Sequence, residues 1–203
     1  MAEAGFWSLV RSDLARYEET FKLRGQTAPF LRICLESFAF KAGFQAVFLH
    51  RVAYALHQLG LPRAAWAVAR FNQFLTAAEI EFNAVAGPGL FIAHPGGIVI
   101  GRGTVLGARA TLFQGVSFGA ADWHPGRIAS FPSLGDNVFI FAGATILGGI
   151  RLGSNVVIGA GAVVTGDVPS GASAAGVPAR VRPGRGAELI ASWGLELAPE
   201  EQG

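Results

Sequence analysis

Among the 203 residues, the side chains best suited to chemistry at neutral pH are four histidines and one cysteine. His94 stands in Ile92-Ala93-His94-Pro95-Gly96-Gly97-Ile98-Val99, an apolar run that admits one imidazole and then drops two side chains. His124 lies in Asp122-Trp123-His124-Pro125, with Arg127 shortly after it. An imidazole there could take a proton from a hydroxyl, ligate a metal, or simply sit satisfied at a turn. A zinc site on such a scaffold needs three histidines, and this half of the chain holds only His94 and His124, so no metal is expected. Cys34 is alone, which excludes an intrachain disulfide and fits a reducing cytoplasm. Gly115-Val116-Ser117-Phe118-Gly119 matches the G-x-S-x-G elbow of serine hydrolases. That elbow requires a strand, a sharp turn and a helix; no helix follows here, and Phe118 belongs to a different pattern.

That pattern has a period of six. Ile100, Leu106, Leu112 and Phe118 are six apart, as are Leu134, Ile140, Ile146, Leu152, Ile158 and Val164. Small or aliphatic residues follow four places on, among them Thr104, Ala110, Val116, Val138, Ala144, Val156 and Ala162. Six residues make a short strand and a turn, and three such sides close a triangular coil of about eighteen residues. Stacked coils pair backbone to backbone about 4.8 Å apart and pile the large residues into one column. The rhythm slips twice, and slips are where a repeat protein exports function. One is the eight-residue step from Ile92 to Ile100, which contains His94; the other is the break from Phe118 to Leu134, which expels a loop.

The first part of the chain has a different period. Phe44, Val47, Phe48, Val52, Ala55, Leu56 and Leu59, then Ala65, Val68, Ala69, Phe71 and Leu75, recur at helical spacing. Gly60-Leu61-Pro62 marks a stop between two antiparallel helices and Thr27-Ala28-Pro29 an earlier break. Trp7, Trp66 and the phenylalanines read as helical core, and His50 and His57 as core or interface residues. The composition, 51% hydrophobic and 15% charged with a net charge of +2, provides for a core. It offers no basic run for nucleic acid and no uninterrupted apolar stretch of the ~20 residues that a membrane span needs. The N-terminus carries acids where a secretion signal would be apolar, so a cytoplasmic location is expected.

These residues resemble the serine acetyltransferase family. The resemblance runs from about residue 40 to 182 and rests on FKAGFQAVFLHRVAYAL, GPGLFIAHPGGIVIG, the hexads of LGDNVFIFAGATILGGIRLGSNVVIGAGAVV, and AAGVPAR. It implies an α+β fold: a helical domain over 1–78, a left-handed parallel β-helix over 79–183 with an extruded loop at 119–133, and a C-terminal tail over 184–203. It implies acetyl-CoA as acyl donor and His94 as general base. It also implies a carboxylate fifteen residues earlier that orients the imidazole; Glu79 holds that place, with Glu81, of the same strand parity, as the alternative. On an eighteen-residue coil Glu79 would stack on Gly97, and Gly96 and Gly97 would permit the bulge that turns His94 outward. Coenzyme A contacts carry over to Gly119, Ala120, Ala142, Ala160 and Arg180. The family's active site lies between subunits, so a homotrimer, or a hexamer paired through the helical half, is expected.

The sequence departs from the family where the acceptor binds. The family's aspartate before the base is Ala93 here, its Arg-Asp-Pro-Ala segment corresponds to Gln26-Thr27-Ala28-Pro29, and its Arg-His pair after the loop corresponds to Ser130-Phe131. His124 and Arg127 are candidate replacements for that pair, and Phe131 and Trp123 could stack on a sugar. The acceptor is therefore L-serine or a related small hydroxyl compound, or else a sugar or polysaccharide precursor; an inactive scaffold is the remaining reading. The chain ends Glu-Glu-Gln-Gly rather than in isoleucine, so docking on cysteine synthase is not expected.

Overall fold

The computed structural model describes residues 5–23, 25, 29–121 and 130–199. Four helices come first: α1 (Phe6–Leu23), α2 (Phe30–Phe40), α3 (Ala42–Gln58) and α4 (Pro62–Thr76). The expected stop at Gly60-Leu61-Pro62 separates α3 from α4, with Pro62 in the first turn, where its missing N–H costs nothing. No helix among the described residues is long and apolar enough to cross a membrane.

Fifteen short strands among the described residues, numbered in chain order, then wind into a parallel solenoid of three sheets. The first sheet stacks β1 (Glu79–Ile80), β4 (Val99–Ile100), β7 (Ser117–Gly119), β10 (Thr145–Leu147) and β13 (Val163–Val164). The second stacks β2 (Val85–Ala86), β5 (Val105–Leu106), β8 (Ser133–Leu134) and β11 (Arg151–Leu152). The third stacks β3 (Phe91–Ile92), β6 (Thr111–Leu112), β9 (Phe139–Ile140), β12 (Val157–Ile158) and β14 (Ser173–Ala175), closed by the antiparallel β15 (Arg180–Arg182). All ten hexad residues point inward and are no more than 5% exposed, in one continuous apolar cluster. The column extends back through Ile80 and Ile92 and forward to Val168 and Ala174.

The outer face of the third sheet is covered by helices from both ends of the chain, α1 and α3 on β3 and a fifth helix further along. Tyr17 of α1 packs on Phe91, and Arg16 donates to the Thr111 hydroxyl at 3.0 Å. Higher on the same face lies α5 (Arg185–Ser192), whose Ile190 is buried against Phe139 and Val157. The tail after it is tied to the coil corners: Asn137 Nδ2 donates to Asn155 Oδ1 and to Glu196 O, and Asn155 exchanges hydrogen bonds with Ala198. A helix in residues 184–203 was not among the expectations, although Gly186, Ile190 and Trp193 fall at spacings of four and three.

The expected helical core is corrected. Phe44 is fully buried, but Trp7 and Trp66 are 73% and 56% exposed and Phe74 is 88% exposed. Among the described residues the helical layer is one helix thick, which leaves these side chains uncovered. What anchors the layer is polar. The Arg51 guanidinium, 4% exposed, grips the Asp13 carboxylate through Nε (2.9 Å) and Nη2 (3.1 Å) and donates to the carbonyls of Ala86 and Gly87. Asp13 accepts in turn from the Leu90 N–H at 2.9 Å. Burial pushes the Asp13 carboxyl above its ordinary range, and the Arg51 bonds oppose that push.

Two outcomes follow from this packing. Replacing Arg51 with Met strands a buried carboxylate, which should lower unfolding free energy by about 3–5 kcal/mol in denaturant titration. His50 beside it is buried, and desolvation, then the Arg51 charge, depresses its pKa from 6.5 to about 3. The unfolded chain therefore takes up a proton near pH 6.5 that the folded chain refuses until about pH 3. That part of the stability is complete above 6.5 and is lost as pH falls towards 3, at up to ~1.4 kcal/mol per pH unit. His50→Leu should flatten the stability profile across that window.

Candidate active site

The eight-residue step forms a bulge at one corner of the solenoid. Below it Phe91 pairs with Thr111, a register of twenty; beyond it Val99 pairs with Ser117, a register of eighteen. The flanks are pinned, since Ala93 N–H donates to Leu112 O, Gly97 N–H to Ala77 O and Gly115 N–H to Gly96 O. His94, Pro95 and Gly96 thus stand opposite the single residue Gln114, and the surplus leaves the column. His94 is exposed as a result. Gly97 has φ 72°, and a Cβ there would approach Gly115 Cα at 3.6 Å. Gly96 has no neighbour within 4 Å of a Cβ position and no positive φ, so the bulge requires only the second glycine and the first leaves open space beside the imidazole.

His94 opens onto a cleft of ≈ 370 Å³ between the helices and the third sheet, lined also by Tyr17, Thr20, Lys41, Phe91 and Ala93. The cleft wall is set by backbone contact. Tyr17 donates its hydroxyl to Ile92 O at 3.0 Å, and a Cβ on Gly43 of α3 would fall 1.9 Å from the same oxygen. Only a glycine lets α3 lie this close to the strand that leads into His94. Burial raises the Tyr17 pKa far above its usual value, so the hydroxyl remains a donor.

Glu79 pairs with Val99, not with Gly97 as an eighteen-residue coil would require, because the two extra residues enter between them. Its carboxylate accepts from Gln73 Nε2 at 2.9 Å and lies 3.7 Å from Arg70 Nη2, which is equally far from Glu81. Both candidate carboxylates are therefore held by α4, and no hydrogen bond joins either to His94 within the protomer among the described residues. Arg70 and Gln73 were not singled out from sequence; their spacing of three on one helix face is the signal that could have found them.

Ala142 and Ala160 stack at the corner that carries His94: Gly143 N–H donates to Gln114 O and Gly161 N–H to Ala142 O. Gly97, Gly115, Gly143 and Gly161 all take positive φ there, so above Gln114 the corner carries only the small side chains of Ala142 and Ala160 beside glycines. Arg180 pairs with Ala175 at the top of the same edge and is exposed. Gly119 and Ala120 lie at the far edge of the first sheet, where β7 ends. Phe131 is half-buried, with its ring against Gly101, where a Cβ would meet it at 2.7 Å. His124 and Arg127 lie outside the described residues. No cluster of three or more metal-ligating side chains occurs among the described residues.

A triangular solenoid with a small-residue corner column and an exposed histidine beside a cleft defines a hexapeptide-repeat transferase. Residues 131–166 match the family model of bacterial transferase hexapeptide (six repeats), and residues 97–120 that of the hexapeptide repeat of succinyl-transferase. A serine acetyltransferase of Staphylococcus aureus is 38% identical over 168 residues, covering 83% of this chain and 78% of that protein. Soybean serine acetyltransferase complexed with serine superposes with a TM-score of 0.76 at 31% identity, over 87% of this chain and 69% of that one. The serine acetyltransferase of Brucella abortus in complex with coenzyme A gives 0.77 at 29% identity, over 87% of this chain and 68% of that one. The chain belongs to the serine acetyltransferase family and is an acyltransferase.

Gly43→Ala tests whether the docked α3 shapes the site. It should destabilise the fold by about 1–3 kcal/mol through overpacking against Ile92 O, and should lower activity at temperatures where circular dichroism shows the variant still folded.

Proposed function

We propose that the chain transfers the acetyl group of acetyl-CoA to the hydroxyl of a small acceptor, L-serine or a related compound, with His94 as general base. The observation that carries this reading is the bulge, which takes one imidazole out of an apolar column and presents it at the mouth of a cleft. A neutral imidazole suits the task because its ordinary pKa lies near neutrality, whereas an alcohol at its own pKa is a weak nucleophile. His94 takes the hydroxyl proton as the oxygen attacks the thioester carbonyl. The tetrahedral adduct then collapses, the carbon–sulfur bond breaks, and the imidazolium returns its proton to the departing thiolate, leaving an acetyl ester and free thiol. Glu79, or Glu81, orients the imidazole.

The corner column of Ala142 and Ala160 leaves a path for the pantetheine arm, and Arg180 at its top suits the nucleotide phosphates by charge-assisted bonds. Gly119, Ala120 and the residues of the extruded loop, with His124, Arg127 and Phe131, complete the donor and acceptor sites in this reading. In the family the active site lies between subunits, and a homotrimer or a dimer of trimers, wound left-handed as in the family, suits the same arrangement here. Supporting this, Val85, Val99 and Val105 face outward at 40%, 38% and 40% exposure on the first and second sheets. The enzyme would work in the cytoplasm without a metal and without docking on cysteine synthase.

His94→Ala should leave folding and coenzyme A binding intact and lower turnover by roughly a hundredfold to ten-thousandfold, measured by thiol release from acetyl-CoA; undiminished turnover would remove His94 from the base role. In the same assay Glu79→Gln should cost less than His94→Ala, and a loss confined to Glu81→Gln would move the orienting role.

A further inference from the structure

We infer that α4 pairs with α4 of a second copy of the chain, antiparallel across a two-fold axis, so that Phe71 and Phe74 of each copy fill the space over Ala67 and Ala64 of the other. The inference gives the pairing of copies through the helical half a particular face and register, and it rests on that pairing, not on the reaction. α4 turns Ala65, Ala69, Asn72 and Thr76 towards the rest of the chain. On its opposite side Ala64, Ala67, Phe71 and Phe74 are exposed at spacings of three, four and three, the seam that one helix offers another. Leu75 widens this stripe, Trp66 borders it, and α4 carries no acid along its length.

The stripe is graded in size, with alanines near the helix start and phenylalanines near its end. A flat partner would leave a gap over the alanines, and a parallel copy would set ring against ring. An antiparallel copy turns the gradient into a fit, because in a two-fold contact each residue pair occurs twice with the roles exchanged. An axis at Ala69 matches Ala67 with the partner's Phe71, Ala64 with the partner's Phe74 and Arg63 with the partner's Leu75. One register satisfies all three. Arg63 stands at the N-terminal end of its own helix, where the dipole disfavours a cation; in this pair it lies at the C-terminal end of the other helix, where the dipole favours one. Trp66, Phe71 and Phe74, at 56%, 54% and 88% exposure, present roughly 300–500 Å² per copy. Taken over both copies, with Leu75 added, this comes close to the ~1,200 Å² at which specific interfaces begin. With a trimer built on the flanks, such pairs join two trimers along the two-fold axes of a closed dihedral assembly.

Sedimentation equilibrium on the full chain reads the pairing. Wild type should contain an even number of copies at micromolar concentration. Phe71→Ala should raise the dissociation constant of pairing by about tenfold or more, the cost of truncating an aromatic anchor. Ala67→Phe, which sets two rings in one place, should halve the mass while circular dichroism shows the helices kept. Ala67→Phe combined with Phe71→Ala in one chain returns one large and one small residue to each contact, and should restore the even-numbered assembly. An odd number of copies in wild type overturns this inference together with pairing through the helical half; adsorption of that form to phosphatidylglycerol vesicles, lost in Phe74→Glu, would then assign the face to a lipid surface. An even-numbered assembly that Ala67→Phe leaves intact, or that the double exchange fails to restore, overturns the α4 register alone.

Discussion

The apolar column imposes a constraint that everything else in the molecule obeys. Each inward side chain sits directly above another, from Ile80 to Ala174, and each strand takes its hydrogen bonds from the coils above and below. A residue cannot be added inside such a stack without turning every later side chain to the wrong face. Surplus chain must leave at a corner, between pinned flanks. The two residues added at His94 do so, and the register is regular again from Val99 onward and, after the longer addition that follows Gly119, from Ser133 onward. The regularity of the core thus supplies the irregularity on which a site can be built.

A bulge alone makes only an exposed side chain. The cleft exists because a helical layer is docked against the third sheet at close range, with Tyr17 and Gly43 meeting Ile92 O two residues before His94. That docking is held by the Arg51 and Asp13 pair, which also satisfies backbone groups of three residues in the bottom coil. Excluding the pair from water is expensive, and the cost is offset only because each polar atom finds several partners. The anchor therefore combines a fixed geometry with a strong penalty for partial separation. It holds the helices against the strand that leads into His94.

The column was legible in the sequence because a six-residue period is a local property, and each of the ten hexad residues falls where the period puts it. The helices were legible for the same reason, and so was the presence of a bulge at His94. What escaped depended on partners distant in sequence. The alignment of Glu79 with Val99 follows from where the extra residues enter the coil, which spacing alone does not reveal. Arg70 and Gln73 acquire meaning only once α4 lies beside β1. Trp66 and Phe74 look like core residues until it is seen that no second helical layer covers them. The short α5 was hidden by its length and by a tail rich in small residues, and its role became visible only with Ile190 set on Phe139 and Val157.

A parallel solenoid has two open ends, each presenting unpaired backbone to any similar edge. Here both are blocked. At one end β15 runs antiparallel across β14, so the last side of the top coil is capped by a strand of the opposite direction. At the other, α4 leads directly into β1 through Ala77 at φ 58° and packs against that strand. The strand edges at β14 and β1 are thereby covered, while Val85, Val99 and Val105 are left exposed on the flanks.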